Sequence, residues 1–120
     1  MTKKVLIVDD EQNIAISVEY LMRREGFDVS VARDGEEGLA MIRSTKPDLV
    51  LLDVMMPKMD GFQVCSAVRA DAALADVRII MLTAKGRDAE VAKGLSLGAD
   101  AYIPKPFSTS DLVSRVNSLM

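Results

Sequence analysis

Five polar residues stand where apolar runs of this chain stop, and their types belong together chemically. Val5-Leu6-Ile7-Val8 runs into Asp9-Asp10, Leu49-Val50-Leu51-Leu52 into Asp53, and the stretch from Val77 to Leu82 into Thr83. A weaker run, Ala101-Tyr102-Ile103, leads to Lys105. Three carboxylates in one pocket repel one another and raise one another's pKa unless a cation holds them. With no nitrogen or sulfur donor among them, the ligand set is hard oxygen. That suits Mg²⁺ or Mn²⁺, with positions left open for water and phosphate oxygens. Lys105 adds a point charge suited to a phosphate oxygen, and Thr83 adds a hydroxyl donor. Together these parts can neutralise a transferring phosphoryl group while a carboxylate acts as nucleophile. Each residue also has a plain reading. By position Asp10 and Thr83 are ordinary helix caps, and a lysine before Pro106 is an ordinary loop residue. All of those readings holding at once, at four run ends, is the weaker account.

Whether the five meet depends on the elements that carry them. Strand-like and helix-like patterns alternate along the chain, the pattern of an α/β fold with a parallel sheet. The first and third runs are continuously apolar, as in strands buried on both faces. Phe27-Asp28-Val29-Ser30-Val31 alternates, as in an edge strand half open to water. A first helix is predicted with Ile14, Val18, Leu21 and Met22 on one face and Gly26 as its stop. Asp34 with Glu37 forms the capping pair of a second. A third begins near Asp60-Gly61, a fourth ends at Gly98, and Ser108 caps a last one carrying Leu112, Val113, Val116 and Leu119. The result is five βα units with short connections. In open parallel sheets the ligand site lies outside the carboxyl ends of the strands, where the strand order reverses. All five polar residues are therefore expected on one patch.

The bulk properties narrow the chemistry further. The chain's 120 residues fit one compact domain, predicted over 1–120. No apolar run approaches the roughly 20 residues of a membrane span, and the amino terminus lacks the pattern of a signal peptide. The single cysteine, Cys65, has no internal disulfide partner, which fits a reducing cytoplasm; its spacing from Phe62 and Val68 places it in the core. A net charge of -3 argues against direct nucleic-acid binding. The absence of histidine removes His-based general base, zinc and triad chemistry.

Several segments carry a family resemblance: Val8-Asp9-Asp10-Glu11, Leu52-Asp53-Val54-Met55-Met56-Pro57, Asp60-Gly61, Leu82-Thr83-Ala84, Gly98-Ala99-Asp100 and Tyr102-Ile103-Pro104-Lys105-Pro106-Phe107. In this order and spacing the chain resembles the response-regulator receiver domain of two-component signalling, over nearly its whole length. The resemblance implies a doubly wound, flavodoxin-like sheet of five parallel strands in the order 2-1-3-4-5, flanked by five helices. It implies that Asp53 takes a phosphoryl group from the phosphohistidine of a sensor histidine kinase or phosphotransfer protein. Asp9, Asp10, Asp53 and the backbone carbonyl of Met55 would hold Mg²⁺, while Thr83 and Lys105 would bind the phosphoryl oxygens. Lys105-Pro106 would be a cis peptide bond. Thr83 and Tyr102 would form a switch that a downstream effector domain or target protein reads. The implied location is cytoplasmic, and the chain is a freestanding receiver or a piece of a longer protein.

Two departures from the family pattern stand out. Ala101 and Ser96 occupy positions that are often acidic in receivers of winged-helix transcription factors. With only Asp100, Lys93 and Arg115 remaining, the charge network for symmetric homodimerisation through the fourth-helix, fifth-strand and fifth-helix face is incomplete. Met55 and Lys85 stand where fast-resetting members carry polar or acidic groups, which predicts slow loss of the phosphoryl group. Other classes fit less well. A haloacid-dehalogenase-like phosphatase wants a second Asp two residues after the nucleophile, where this chain has Met55. A flavodoxin-like binding module wants a phosphate loop after the first strand, where Asp9-Asp10-Glu11 would repel an anion. A degenerate receiver would lack some of the five site residues.

Overall fold

The computed structural model describes residues 2–84 and 88–120. Strands and helices alternate as β1 (Lys4–Val8), α1 (Gln12–Arg24), β2 (Asp28–Ala32), α2 (Gly35–Thr45), β3 (Leu49–Asp53), α3 (Gly61–Arg69), β4 (Arg78–Ala84), α4 (Asp88–Ser96), β5 (Ala101–Lys105) and α5 (Thr109–Leu119). The five strands form one parallel sheet in the order β2-β1-β3-β4-β5. Chain order reverses between β1 and β3. A crevice at the carboxyl ends of those two strands follows from that reversal.

Burial explains why these runs became strands in these places. Every residue of the central β3 is buried, whereas β2 at the edge alternates between exposed and buried positions. Side chains on a strand alternate between faces, so each strand feeds two cores. Leu6, Val8, Val50, Leu52 and Met81 pack with α2 and α3 residues such as Ile42 and Val64. Ile7, Leu51, Ile80, Leu82 and Ile103 pack on the other face with α1 and α5, through Val18, Met22, Leu112 and Val116. Cys65 lies wholly inside the first of these cores.

Local signals set the helix ends. Gly26 adopts φ +93° just after α1, a conformation costly for any residue with a Cβ. Asp34 accepts a hydrogen bond from the Glu37 amide at 2.8 Å, while the Glu37 side chain reaches one residue further back, to the Arg33 amide at 2.9 Å. A complete capping box stands instead at α3, between Asp60 and Gln63. Ser108 caps α5 through the Asp111 amide.

Two strands run longer than their apolar stretches. β4 starts at Arg78 rather than Val77 and continues through Thr83 and Ala84, and β5 continues through Pro104 and Lys105. The pairing of Thr83 with Pro104 and of Ala84 with Lys105 carries both strands on. β5 tolerates Pro104 because it is an edge strand. Thr83 and Lys105 therefore stand on the sheet itself, not in the loops beyond it. No helix among the described residues is long and apolar enough to cross a membrane.

Candidate functional site

β1 extends its pairing by one residue through the Asp9 amide, which donates to the Ala32 carbonyl at 3.2 Å. That contact holds Asp9 at the sheet edge with 1% of its surface exposed. Asp53 closes β3 and is 6% exposed, while Asp10, one residue past Asp9, is exposed. Because β1 and β3 are neighbours with Val8 opposite Leu52, the next residues along come side by side. Carboxylate oxygens of Asp9, Asp10 and Asp53 lie within 4.8 Å of one another. From the far side of the sheet, Lys105 reaches in with Nζ 3.1 Å from Asp9 Oδ2 and 3.3 Å from Asp53 Oδ1.

The plain readings of these residues do not survive this geometry. The α1 N-cap is Glu11, with no side-chain cap bond, and Asp9 rather than Asp10 accepts from the Glu11 amide at 2.9 Å. Thr83 lies inside β4, and its hydroxyl makes no cap bond among the described residues. The Lys105 side chain is only 16% exposed and held by two carboxylates.

Electrostatics follow from crowding and burial. Desolvation, then the Asp9 charge, raises the Asp53 pKa to about 7, against the opposing pull of Lys105. Burial works against the Lys105 ammonium, but the Asp53 and Asp9 charges outweigh it and its pKa moves up. Among the described residues one ammonium faces three carboxylates, so the site they form carries surplus negative charge on oxygen donors. That donor set fits a hard divalent cation, and fits poorly a soft or nitrogen-seeking metal. A cleft of about 400 Å³ opens beside Asp53 and Lys105 and is also lined by Met55, Ala84, Glu11 and Glu90. Glu11 belongs to the run after β1 noted above, whereas Glu90 was not singled out from the sequence. Glu11 is the extended N-cap residue of α1, two places past Asp9, while Glu90 sits in the first turn of α4 and reaches the cleft through the packing of that helix.

Thr83 presents a different feature. Its hydroxyl is buried and has no hydrogen-bond partner among the described residues. Such an atom costs free energy unless a ligand oxygen completes it. By alternation from Met81 it lies on the α2–α3 side of the sheet. Tyr102 pairs with Met81 and packs against the same core. Thr83 and Tyr102 are thus diagonal neighbours on one face, with Arg115 stacked 5.5 Å from the Tyr102 ring centre and donating to its carbonyl at 3.0 Å. Met55 is 71% exposed in the β3–α3 loop, the Lys105–Pro106 bond is cis, and Lys85 lies outside the described residues.

The charges left for a symmetric interface are engaged within the chain. Asp100 accepts from Arg69 and from the Ile79 amide, both at 2.8 Å. Lys93 sits 4.6 Å over the Phe62 ring, and Arg115 is taken up by Tyr102.

Known proteins share this fold. The family model described as response regulator receiver domain matches residues 5–117. The chain is 45% identical over 120 residues to the alkaline phosphatase synthesis transcriptional regulatory protein PhoP of Bacillus subtilis (strain 168), a match covering 100% of this chain and 49% of that protein. It thus spans about half the length of that curated relative. A response regulator from Chloroflexus aurantiacus J-10-fl superposes with a TM-score of 0.95 at 36% identity, covering 99% of this chain and 98% of that one. The chemotaxis response regulator CheY4 of Vibrio cholerae superposes with a TM-score of 0.94 at 32% identity, over 100% of both chains. The match runs from β1 into α5, and solved receivers reproduce the whole sheet; this chain belongs to the response regulator receiver domains of two-component systems.

Proposed function

We propose that Asp53 is the phosphoacceptor of a two-component relay and that Thr83 and Tyr102 pass its state to the output face. The observation that carries this reading is the placement of one buried carboxylate, Asp53, between two further carboxylates and the Lys105 ammonium at the mouth of a cleft. Ionised Asp53 attacks the phosphorus of a phosphohistidine on a sensor histidine kinase or phosphotransfer protein. The new bond joins Asp53 Oδ to phosphorus, the P–N bond breaks, and the imidazole leaves with the electron pair. Asp9, Asp10, Asp53 and the Met55 carbonyl would hold Mg²⁺, or Mn²⁺ in its place. When bound, the cation neutralises charge on the transferring group and favours the ionised form of Asp53.

The remaining roles belong to the chain's own side chains. Lys105, already paired with Asp53, exchanges part of that contact for a phosphoryl oxygen. The unpartnered Thr83 hydroxyl donates to another. As Thr83 turns toward the phosphoryl group it leaves room on the face it shares with Tyr102, and a two-state equilibrium shifts. This chemistry acts on the domain itself and turns over no separate substrate. Residues 1–120 act as a single receiver unit in this reading. The longer relative is a transcriptional regulatory protein, which supports an effector domain or target protein as the reader of this face.

The test uses acetyl phosphate with Mg²⁺ and intact mass. The wild-type chain gains one phosphoryl mass and Asp53→Asn gains none. Stoichiometric labelling of Asp53→Asn would sink the assignment.

A further inference from the structure

The loop between β3 and α3 is closed at its base, where the Gly61 amide donates to the Val54 carbonyl at 2.8 Å. Its outer arm rests on the start of α2. A Cβ built on Gly35 would collide with the Met59 carbonyl oxygen, and would stand 2.7 Å from the Met59 carbonyl carbon and 2.8 Å from its Cβ. Beside that contact, Lys58 holds φ at +69°, and its Nζ lies 3.7 Å from Asp34 Oδ2.

We propose that the first turn of α2 is the seat that sets the position of the β3–α3 loop, which makes Gly35 a positioning residue for the acceptor site. The inference rests on the acceptor reading above, because the loop matters through the Met55 carbonyl it presents. The two sides of the contact differ in stiffness. Asp34 and Glu37 bond the amides at the start of α2, and Gly38, Leu39 and Ile42 anchor the helix in the core. A Cβ on Gly38 would collide with Val8 of β1, so α2 already lies as close to the sheet as it can. The loop has Met55 in solvent, only Met56 and Met59 resting partly buried against the core, and two backbone bonds of its own, Met59 to Pro57 and Gly61 to Val54. A side chain on Gly35 therefore displaces the loop and leaves the helix where it is. The displacement is delivered at Met59 and carried back to Met55, because Gly61–Val54 pins the base.

The experiment is a Mg²⁺ titration of Gly35→Ala followed by amide NMR. Removing an outer support of a metal site typically weakens metal binding by about ten-fold or more. The expected result for Gly35→Ala is a Mg²⁺ Kd raised by about ten-fold. Labelling by acetyl phosphate should be slow at low Mg²⁺ and recover as Mg²⁺ is raised. Ile42→Val, which loosens the α2 core and leaves the Gly35 contact unfilled, should keep the wild-type Kd. A wild-type Kd in folded Gly35→Ala overturns the proposal, and so does an equal loss of affinity in Ile42→Val. Should Gly35→Ala not fold, the wild-type titration decides. Amides of Gly35 and Glu36 should move with the same midpoint as those of Asp60 and Gly61, and silence at Gly35 and Glu36 overturns the seat. A wild-type chain that neither binds Mg²⁺ nor labels at Asp53 fails the acceptor reading and this inference with it. Every other outcome bears on the seat alone.

Discussion

Replacing Asp53 with asparagine should stabilise the metal-free fold at neutral and mildly alkaline pH, although it removes the proposed acceptor. Asp53 is 6% exposed and sits beside Asp9, and its pKa rises from 3.8 to about 7. A group whose pKa is raised on folding binds its proton more tightly in the folded chain than in the unfolded one. Stability from that proton is fully present below pH 3.8 and is lost as pH rises through about 7. At about 1.4 kcal/mol per pH unit, the full span corresponds to about 4 kcal/mol. Asparagine keeps the shape but gives up the contact between Lys105 and a charged oxygen, so the net gain is about 2–4 kcal/mol. For a domain of this size that is about 10 °C in melting temperature. The assay is urea unfolding of wild type and Asp53→Asn with a chelator present, in steps from about pH 5 to about pH 8.5. Comparing the two proteins at each pH cancels the other carboxylates. The difference should be small at the acid end, grow through about pH 7 and flatten beyond it. Added Mg²⁺ should close the gap by stabilising wild type more than the variant. A difference that stays constant across this range would refute the argument, since Asp53 would then ionise as it does in the unfolded chain.

Other perturbations read other parts of the site. Asp10→Ala removes an exposed carboxylate, the proposed ligand, and little packing, so the fold should persist while the Mg²⁺-induced rise in melting temperature shrinks to a fraction of the wild-type value. Beryllofluoride, a phosphoryl mimic, should move the amides of Thr83 and Tyr102 as well as those beside Asp53. In Thr83→Ala the Tyr102 response should vanish while the pocket response remains. Met55→Asn should lose its phosphoryl group several-fold faster than wild type by mass spectrometry, since an amide can orient a water that a thioether cannot. Arg69 bonds the Gly98 and Val77 carbonyls at 2.8 and 2.7 Å as well as Asp100. Arg69→Ala should cost about 2–4 kcal/mol in urea unfolding by leaving a half-buried carboxylate and two carbonyls short of donors.

Much of this protein was legible in the residue string because burial leaves a pattern. β3 is buried on both faces, so Leu49 to Leu52 is uninterrupted and Asp53 marks where the core stops. β2 is an edge, so Val29 and Val31 alternate with polar neighbours. Caps are local, and Asp34, Asp60 and Ser108 could be placed from spacings of a few residues. Strand ends were less legible, because Thr83 and Lys105 were drawn into the sheet by pairing with each other's strands.

The sequence by itself determined which chemical groups stand at the strand ends, since that depends only on where each apolar run gives way to a polar residue. The tertiary structure decided what each group became. Asp9 and Asp10 are adjacent and identical in type, yet one is buried against Lys105 and the other is exposed. Asp53 acquires a pKa of about 7 through desolvation and a neighbour from another strand. Lys105 meets Asp9 across 96 residues of chain. Asp100, a candidate for an intermolecular network by position, is taken up by Arg69 and the Ile79 amide. Charge, burial and partnership arise between elements far apart in the chain, and no local pattern encodes the distance between them.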